Sequence, residues 1–447
     1  MSVYLSPELL QKIFDHIHED DFNTLHSIIF VNRDWCQSSI MLLWRKPFND
    51  EIFLLNRHKI LSIILSFLDD ERKDYLKITD ERLEIPTNVL FNYLSFIKEL
   101  HYEPIMRSID LWIKEKENLR PILDFYYFFN HEKEYVAKFK VYDLNYNVSI
   151  PGKLYKPHER VAFFDAIYHV ISNDNELKSF VSDELMDTRF IPFYQAIISS
   201  NPTFLDRLEN LEFYYDGRFS GILKELAKIS HNIKSINIKF CNDLNTKGLI
   251  QLIKSQNNLE HMSFDRFEGE NLPEILKALI TQAHSLRSFK LWKCEIDNNH
   301  NNCLEFLKEH RKLEELEFGY IGCYDVYDVK HAQDFPHLKR LRFYDSDDGM
   351  INCSIFFSLI INIGKYLNEL IFLVDLQRYP NNTMKVITDS CQNLVSLSII
   401  IQSHEELDEL IKYFDRFQKL EILKICKRNV LSMKVRGYWK NVLKISF

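Results

Sequence analysis

The sequence predicts an α/β solenoid, with short parallel strands on one side and helices on the other, stacked unit upon unit. Three observations predict it. The pattern apolar-x-x-apolar-x-apolar recurs nine times from residue 208 onward. Most recurrences follow an apolar stripe at helical spacing. Gly and Pro, 10 and 12 of 447 residues, are too few for a loop-rich β sandwich or a disordered linker protein.

The nine patterns are Leu208/Leu211/Phe213, Ile233/Ile236/Ile238, Leu259/Met262/Phe264, Leu286/Phe289/Leu291, Leu313/Leu316/Phe318, Leu338/Leu341/Phe343, Leu367/Leu370/Phe372, Leu394/Leu397/Ile399 and Leu420/Leu423/Ile425. Their starts lie 25, 26, 27, 27, 25, 29, 27 and 26 residues apart. The last two apolar positions of each alternate as a short strand does, one face inward. Upstream stripes such as Leu249/Leu252/Ile253 and Ile275/Leu276/Leu279/Ile280 have helical spacing. A strand with one helix cannot bury its apolar side alone, so the units must stack. Strands stack about 4.8 Å apart and helices need roughly 10 Å. The helices therefore splay outward and the array is expected to curve, with an inner sheet about 40 Å long.

The run Cys241 to Leu249, leading to Leu259 and Met262, resembles the cysteine-containing class of leucine-rich repeat, as do Cys294 and Cys391-Gln-Asn-Leu394. That class is commonly attached to F-boxes. Residues 201–447 are read as this repeat domain, a curved horseshoe ending in a basic cap. From 422 to 447 there are seven basic residues and no acidic one.

Residues 5–48 form a second organised segment. Ser6 suits a helix N-cap and Pro7 the first helical position. Leu9, Leu10, Ile13, Phe14 and Ile17 then make a helical apolar stripe, followed by Phe22, Leu25, Ile28, Ile29, Val31, Trp35 and Trp44. The order Leu5-x-Pro7-Glu8-Leu9-Leu10-x-x-Ile13-Phe14, Val31-Asn-Arg33-x-Trp35, Leu43-Trp44-Arg45 resembles the F-box over its whole length. The resemblance implies a three-helix module at 1–48 that docks on the Skp-type adaptor of a cullin-based SCF ubiquitin ligase. It assigns the adaptor contacts to Leu5, Pro7, Leu9, Leu10, Ile13, Val31 and Trp35, and places Trp44 near the junction to the next domain. The acidic, histidine-bearing segment from Asp15 to Asp21 departs from the usual pattern.

Residues 49–200 lack the 26-residue period. Leu61–Leu68, Val89–Leu100, Ile105–Trp112 and Ala162–Ile171 read as helices, and Phe125–Phe129 is dense in aromatics. Two readings compete: a helical connector capping the first repeat, and a set of degenerate repeats.

On the repeat domain, side chains alternating with the buried strand positions line the open wall. Lys290, Trp292, Glu315, Glu317, Arg340, Arg342 and Tyr344 form a mixed-charge band with two large aromatics there. Interfaces draw their strongest contacts from Trp, Tyr and Arg, so Lys290, Trp292, Glu317, Arg340, Arg342 and Tyr344 are the candidate substrate-binding residues. The alternative is that the charges simply pair across strands. Ile371, Leu373 and Ile400 are expected to expose apolar surface.

Chemistry of other kinds finds no support in the pattern. No phosphate-binding loop, G-x-S-x-G, H-E-x-x-H or dinucleotide fingerprint occurs. Cys294, His300 and Cys303 fall short of a closed four-ligand zinc site. Asp345-x-Asp347-Asp348-Gly349 lacks calcium-loop spacing. The expectation is a non-catalytic protein without cofactor or metal. The net charge of −8 gives no reason to expect nucleic-acid binding. No apolar run reaches the roughly 20 residues that span a bilayer, and no signal peptide is recognisable. The eight scattered cysteines read as reduced thiols. Cytoplasm or nucleus is the expected compartment, with an unknown protein as target. A repeat scaffold or inhibitor without a ligase role is the competing reading.

Overall fold

The computed structural model describes residues 6–14, 16–17, 21–48, 54–78, 91–116, 157–173, 177–181, 202–215, 219–241, 245–267, 271–296, 303–320, 322–323, 335–344, 353–374, 383–401, 404–427 and 430–436. The chain forms two compact units, Met1–Ser182 and Asp183–Phe447.

The first unit opens with three helices, α1 (Pro7–Phe14), α2 (Phe22–Ile28) and α3 (Arg33–Leu43). Each starts where the sequence supplies a cap. The Leu9 N–H lies 3.4 Å from Ser6 Oγ, Asp21 accepts from the Thr24 N–H at 3.1 Å, and Asn32 accepts from the Trp35 N–H at 2.9 Å. Leu10, Phe14 and Ile28 form the core, with Ile17, Trp35 and Leu42 packed on it. Phe14 and Trp35 meet edge to face at 5.5 Å.

The rest of the unit comprises α4 (Leu54–Ser66), α5 (Asp70–Tyr75), β1 (Glu99–His101), α6 (Tyr102–Lys116), α7 (Pro157–Asn173) and β2 (Ser179–Val181). Helices α4, α6 and α7 pack together, and Trp112 donates its indole N–H to Ser62 Oγ at 2.8 Å in their interior. The helix expected over Val89–Leu100 is instead a 3-10 turn at Tyr93–Phe96 followed by β1, which pairs in parallel with β2. Backbone hydrogen bonds explain the change. The Arg45 carbonyl accepts the N–H groups of Lys98 and Glu99 at 3.0 and 3.1 Å, and the Lys98 carbonyl accepts those of Lys178 and Ser179 at 2.9 and 3.1 Å. Those amides are committed to a ladder and cannot close a helix. Phe125–Phe129 lies outside the described residues.

In the second unit every one of the nine apolar patterns is a strand. They are β3 (Asn210–Tyr214), β4 (Ser235–Cys241), β5 (His261–Phe267), β6 (Ser288–Trp292), β8 (Glu315–Gly319), β10 (Arg340–Tyr344), β11 (Glu369–Leu373), β12 (Ser396–Ile400) and β13 (Ile422–Lys427). Neighbours pair in parallel, so that Leu211, Ile236, Met262, Phe289, Leu316, Leu341, Leu370, Leu397 and Leu423 fall in one row. Each of these residues is buried. A separate two-stranded pair joins β7 (Glu295–Ile296) to β9 (Gly322–Cys323). Helices α8 (Pro202–Asp206), α9 (Ser220–Ile229), α10 (Lys247–Ser255), α11 (Leu272–Leu279), α12 (Cys353–Ile363), α13 (Thr383–Ser390) and α14 (His404–Phe414) occupy connections between strands. A 3-10 helix at Cys303–Glu309 takes that place before β8.

The paired hydrogen bond of the first unit recurs at every junction here. The carbonyl after each leading apolar residue accepts two successive N–H groups of the next strand. Glu209 accepts from Lys234 and Ser235, and the series runs on through Val395, which accepts from Glu421 and Ile422. By that criterion Ile97-x-x-Leu100 and Leu177-x-x-Phe180 are degenerate copies of the repeat, with Ile97, Leu100 and Leu177 buried. The last described strand, β14 (Val430–Arg436), runs antiparallel to β13. No described helix is long and apolar enough to cross a membrane.

Candidate protein-interaction site

Parallel register brings the predicted band together. Lys290 stands opposite Glu317 and Trp292 opposite Gly319, while Arg342 and Tyr344 stand opposite the same two residues from the other side. Lys290 pairs with Glu317 at 2.9 Å and Arg340 with Glu315 at 3.0 Å. Arg342 reaches Glu315 at 2.5 Å, Glu369 at 3.3 Å and Glu317 at 3.5 Å. Glu317 is buried beneath them. Three cations and three carboxylates thus neutralise one another across four strands, so the charges do pair from strand to strand. The Arg342 Nε is buried and has no hydrogen-bond partner.

The aromatics depend on one residue without a side chain. Trp292 and Tyr344 belong to strands two apart, yet their ring centroids lie 4.8 Å from each other. Gly319 between them makes this possible, since a Cβ there would come within 2.3 Å of the Trp292 ring. Tyr320 joins Trp292 at 5.0 Å, and the Lys290 ammonium sits over the indole at 4.7 Å. Burial first, and then the Glu317 carboxylate, push the Tyr344 hydroxyl above its usual pKa.

Arg266, Lys293 and Tyr320 flank this cluster with φ angles of 59°, 53° and 53°. All three stand seven residues after the leading apolar residue of successive repeats. Left-handed backbone is unfavourable for side chains of this kind, and its recurrence beside Trp292 was not legible in the pattern. Further along, Ile371, Leu373 and Ile400 are half-buried on the same face.

Cys294 and Cys391 are buried, and desolvation pushes each thiol up to about 12. Of the cysteine-histidine group near residue 300, His300 lies outside the described residues.

In the N-terminal module the residues named from the motif divide by environment. Leu9, Ile13 and Val31 are exposed at 50, 46 and 56%. Leu10 is fully buried in the module's core, so it holds the helices together rather than facing outward. Trp35 is half-buried against Phe14. Pro7 begins α1, and Leu5 lies outside the described residues. Two exposed apolar residues were missed, Phe30 at 73% and Met41 at 42%. Phe30 stacks edge to face on His26 at 5.1 Å. An open groove of about 310 Å³ beside it is lined by Asn23, Thr24, Ser27, Ile28 and Val31. Trp44 stacks on Tyr93 at 4.4 Å, and Arg45 and Lys46 pair with Glu99 at 3.5 and 3.3 Å, joining the module to β1.

No protein-family model matches this chain, and no curated protein sequence matches it.

Proposed function

We propose that the chain is a non-catalytic substrate receptor of a cullin-based SCF ubiquitin ligase. In this reading the three-helix N-terminus is an F-box docking on a Skp-type adaptor, and the repeat domain is a curved leucine-rich-repeat array that holds a target protein. The observation that carries it is the exposure of Leu9, Ile13, Phe30 and Val31 on a module that already has a complete core. Apolar side chains left wet at motif positions are best explained by a partner that covers them. Of the seven motif positions, Leu9, Ile13 and Val31 supply the exposed apolar contacts, Leu5, Pro7 and Trp35 stay in the set, Phe30 is added, and Leu10 is removed because it is buried. The Trp292/Tyr344 cluster is the anchor for the target, because its rings are held rigid and its charges are already compensated.

The test is a pull-down of the full chain with a Skp-type adaptor and its cullin. Wild type should capture both, and Leu9→Ala with Val31→Ala should lose capture while unfolding at the same temperature, since both residues are exposed. Equal capture by the folded double variant would refute the assignment of the face. No capture by wild type would refute the ligase reading.

A further inference from the structure

Around Trp292 the open face has its charges engaged and its aromatic donors free. Glu315 and Glu317 are held by Arg340, Arg342 and Lys290, and Glu369 by Arg342. Asp265, opposite Trp292 in register, contacts Arg266 at 3.7 Å. Lys290 divides its ammonium between Glu317 and the indole, and Lys293 lays its own over the Tyr320 ring at 5.5 Å. The polar ends of the rings differ. The Trp292 indole N–H and the Tyr320 and Tyr344 hydroxyls have no hydrogen-bond partner among the described residues. None of these three atoms is among the buried polar atoms left without a partner, so each reaches the surface. The indole can only donate. Burial raises the Tyr344 pKa above its ordinary value of 10.0, so that hydroxyl stays protonated and able to donate at neutral pH.

We propose that the Trp292/Tyr320/Tyr344 cluster binds a proline-rich segment of the target protein in the polyproline II conformation. Proline has no backbone N–H, and a polyproline II segment forms no internal hydrogen bonds. It therefore presents carbonyl acceptors with few donors of its own. Surface donors carried on aromatic rings complement that pattern, and aromatic-lined surfaces are where such segments dock. A helix would satisfy its own carbonyls and leave the three donors unused. A charged peptide would have to break ion pairs already made. A nucleic acid needs cations for its phosphates, and those beside Trp292 are held by carboxylates and rings. Tyr320 also keeps a left-handed φ of 53°, a strained backbone of the kind that functional sites retain. The inference rests on the reading of this cluster as the target's anchor and not on the adaptor contact.

Fluorescence anisotropy with the full chain tests it. The probes are dye-labelled decaproline, a Gly-Ser peptide of the same length, peptides of alternating Glu and Val or Lys and Val, and an oligouridylate. Decaproline alone should bind, with an affinity that added salt leaves nearly unchanged, because no charge is neutralised. Tyr344→Phe and Tyr320→Phe each delete one donor and keep the ring. Each should unfold at the wild-type temperature, since no described residue bonds to either hydroxyl. Each should bind decaproline about fivefold more weakly. Wild-type affinity for decaproline in both variants overturns the proposal. If a charged peptide or the oligonucleotide is preferred, and Tyr344→Phe weakens it, the cluster stays an anchor and the proline assignment falls. If no probe binds, the anchor reading falls with it. Adaptor capture is read in a separate pull-down, so neither result decides the other.

Discussion

Two halves of the repeat array close the same turn with different chemistry. Between residues 230 and 286, glutamines reach from one repeat into the previous one. Gln256 Oε1 accepts the Ile233 N–H at 2.9 Å and its Nε2 donates to the Ser230 carbonyl at 2.8 Å. Gln282 repeats the arrangement, accepting from the Leu259 N–H at 3.3 Å and donating to the Gln256 and Ile253 carbonyls at 2.9 and 3.0 Å. His310 ends this polar series, its two ring nitrogens 2.8 and 3.0 Å from the Phe306 and Leu279 carbonyls. From residue 335 on, the position three residues before the leading apolar residue, which Gln256 and His310 occupy and Gln282 precedes by one, holds Phe335, Gly364 and Cys391. There the leading N–H groups of Leu338, Leu367 and Leu394 bond to the carbonyl three residues back. The first half thus couples neighbouring repeats through directional side-chain hydrogen bonds. The second closes each turn within its own repeat, and neither Phe335, Gly364 nor Cys391 sends a side-chain hydrogen bond into the neighbouring repeat. Removing a buried partner is costly in the first case, and a change of volume is costly in the second.

The comparison breaks most visibly at Gln282. Gln282→Leu preserves the bulk but leaves the Leu259 N–H and the Gln256 and Ile253 carbonyls without their side-chain partner. A loss of about 3 kcal/mol in urea unfolding is expected. A change under about 0.5 kcal/mol would mean that the amide ladder does not couple the repeats. In the apolar half the corresponding injury is steric. A Cβ on Gly364 would meet Cys391 Sγ and the Ser390 backbone at 2.9 Å. Gly364→Ala should cost about 2 kcal/mol, and adding Cys391→Ala should recover part of it by freeing the space beside the sulfur. Equal or greater loss in the double variant would place the strain elsewhere.

The smallest expected effect lies where the two halves meet. Burial holds the His310 imidazole below its usual pKa of 6.5. The unfolded chain therefore takes up the proton more readily than the folded one. The stability contributed by the neutral ring is fully present above about pH 6.5 and is lost as the pH falls below it. His310→Gln substitutes the residue used at the preceding positions. It should change stability at neutral pH by less than about 1 kcal/mol and flatten the decline on acidification. An unaltered pH profile would show that His310 does not supply it.

Much of the second unit was legible because its code is local. A period of two marks a strand, a period of 3.6 marks a helix, and their alternation every 25 to 29 residues marks a stack. All nine patterned segments are strands for that reason, and the band from Lys290 to Tyr344 followed from their register. In the connector, Ile97/Leu100 and Leu177/Phe180 stand 80 residues apart, so no period announced them. Their identity as repeat strands rests on which carbonyl receives which amide. Phe30 went unmarked and Leu10 read as a contact, because an apolar stripe does not reveal which of its members the core has room for.

The sequence by itself therefore determined the class of fold, the number of patterned strands and the residues that share a face. Periodicity encodes these one segment at a time. Only the tertiary structure decided that Gly319 lets Trp292 touch Tyr344 and that Gln282 serves the repeat before its own. Each of those depends on atoms distant along the chain meeting at a few ångströms, and packing, which acts across the fold, is what brings them there.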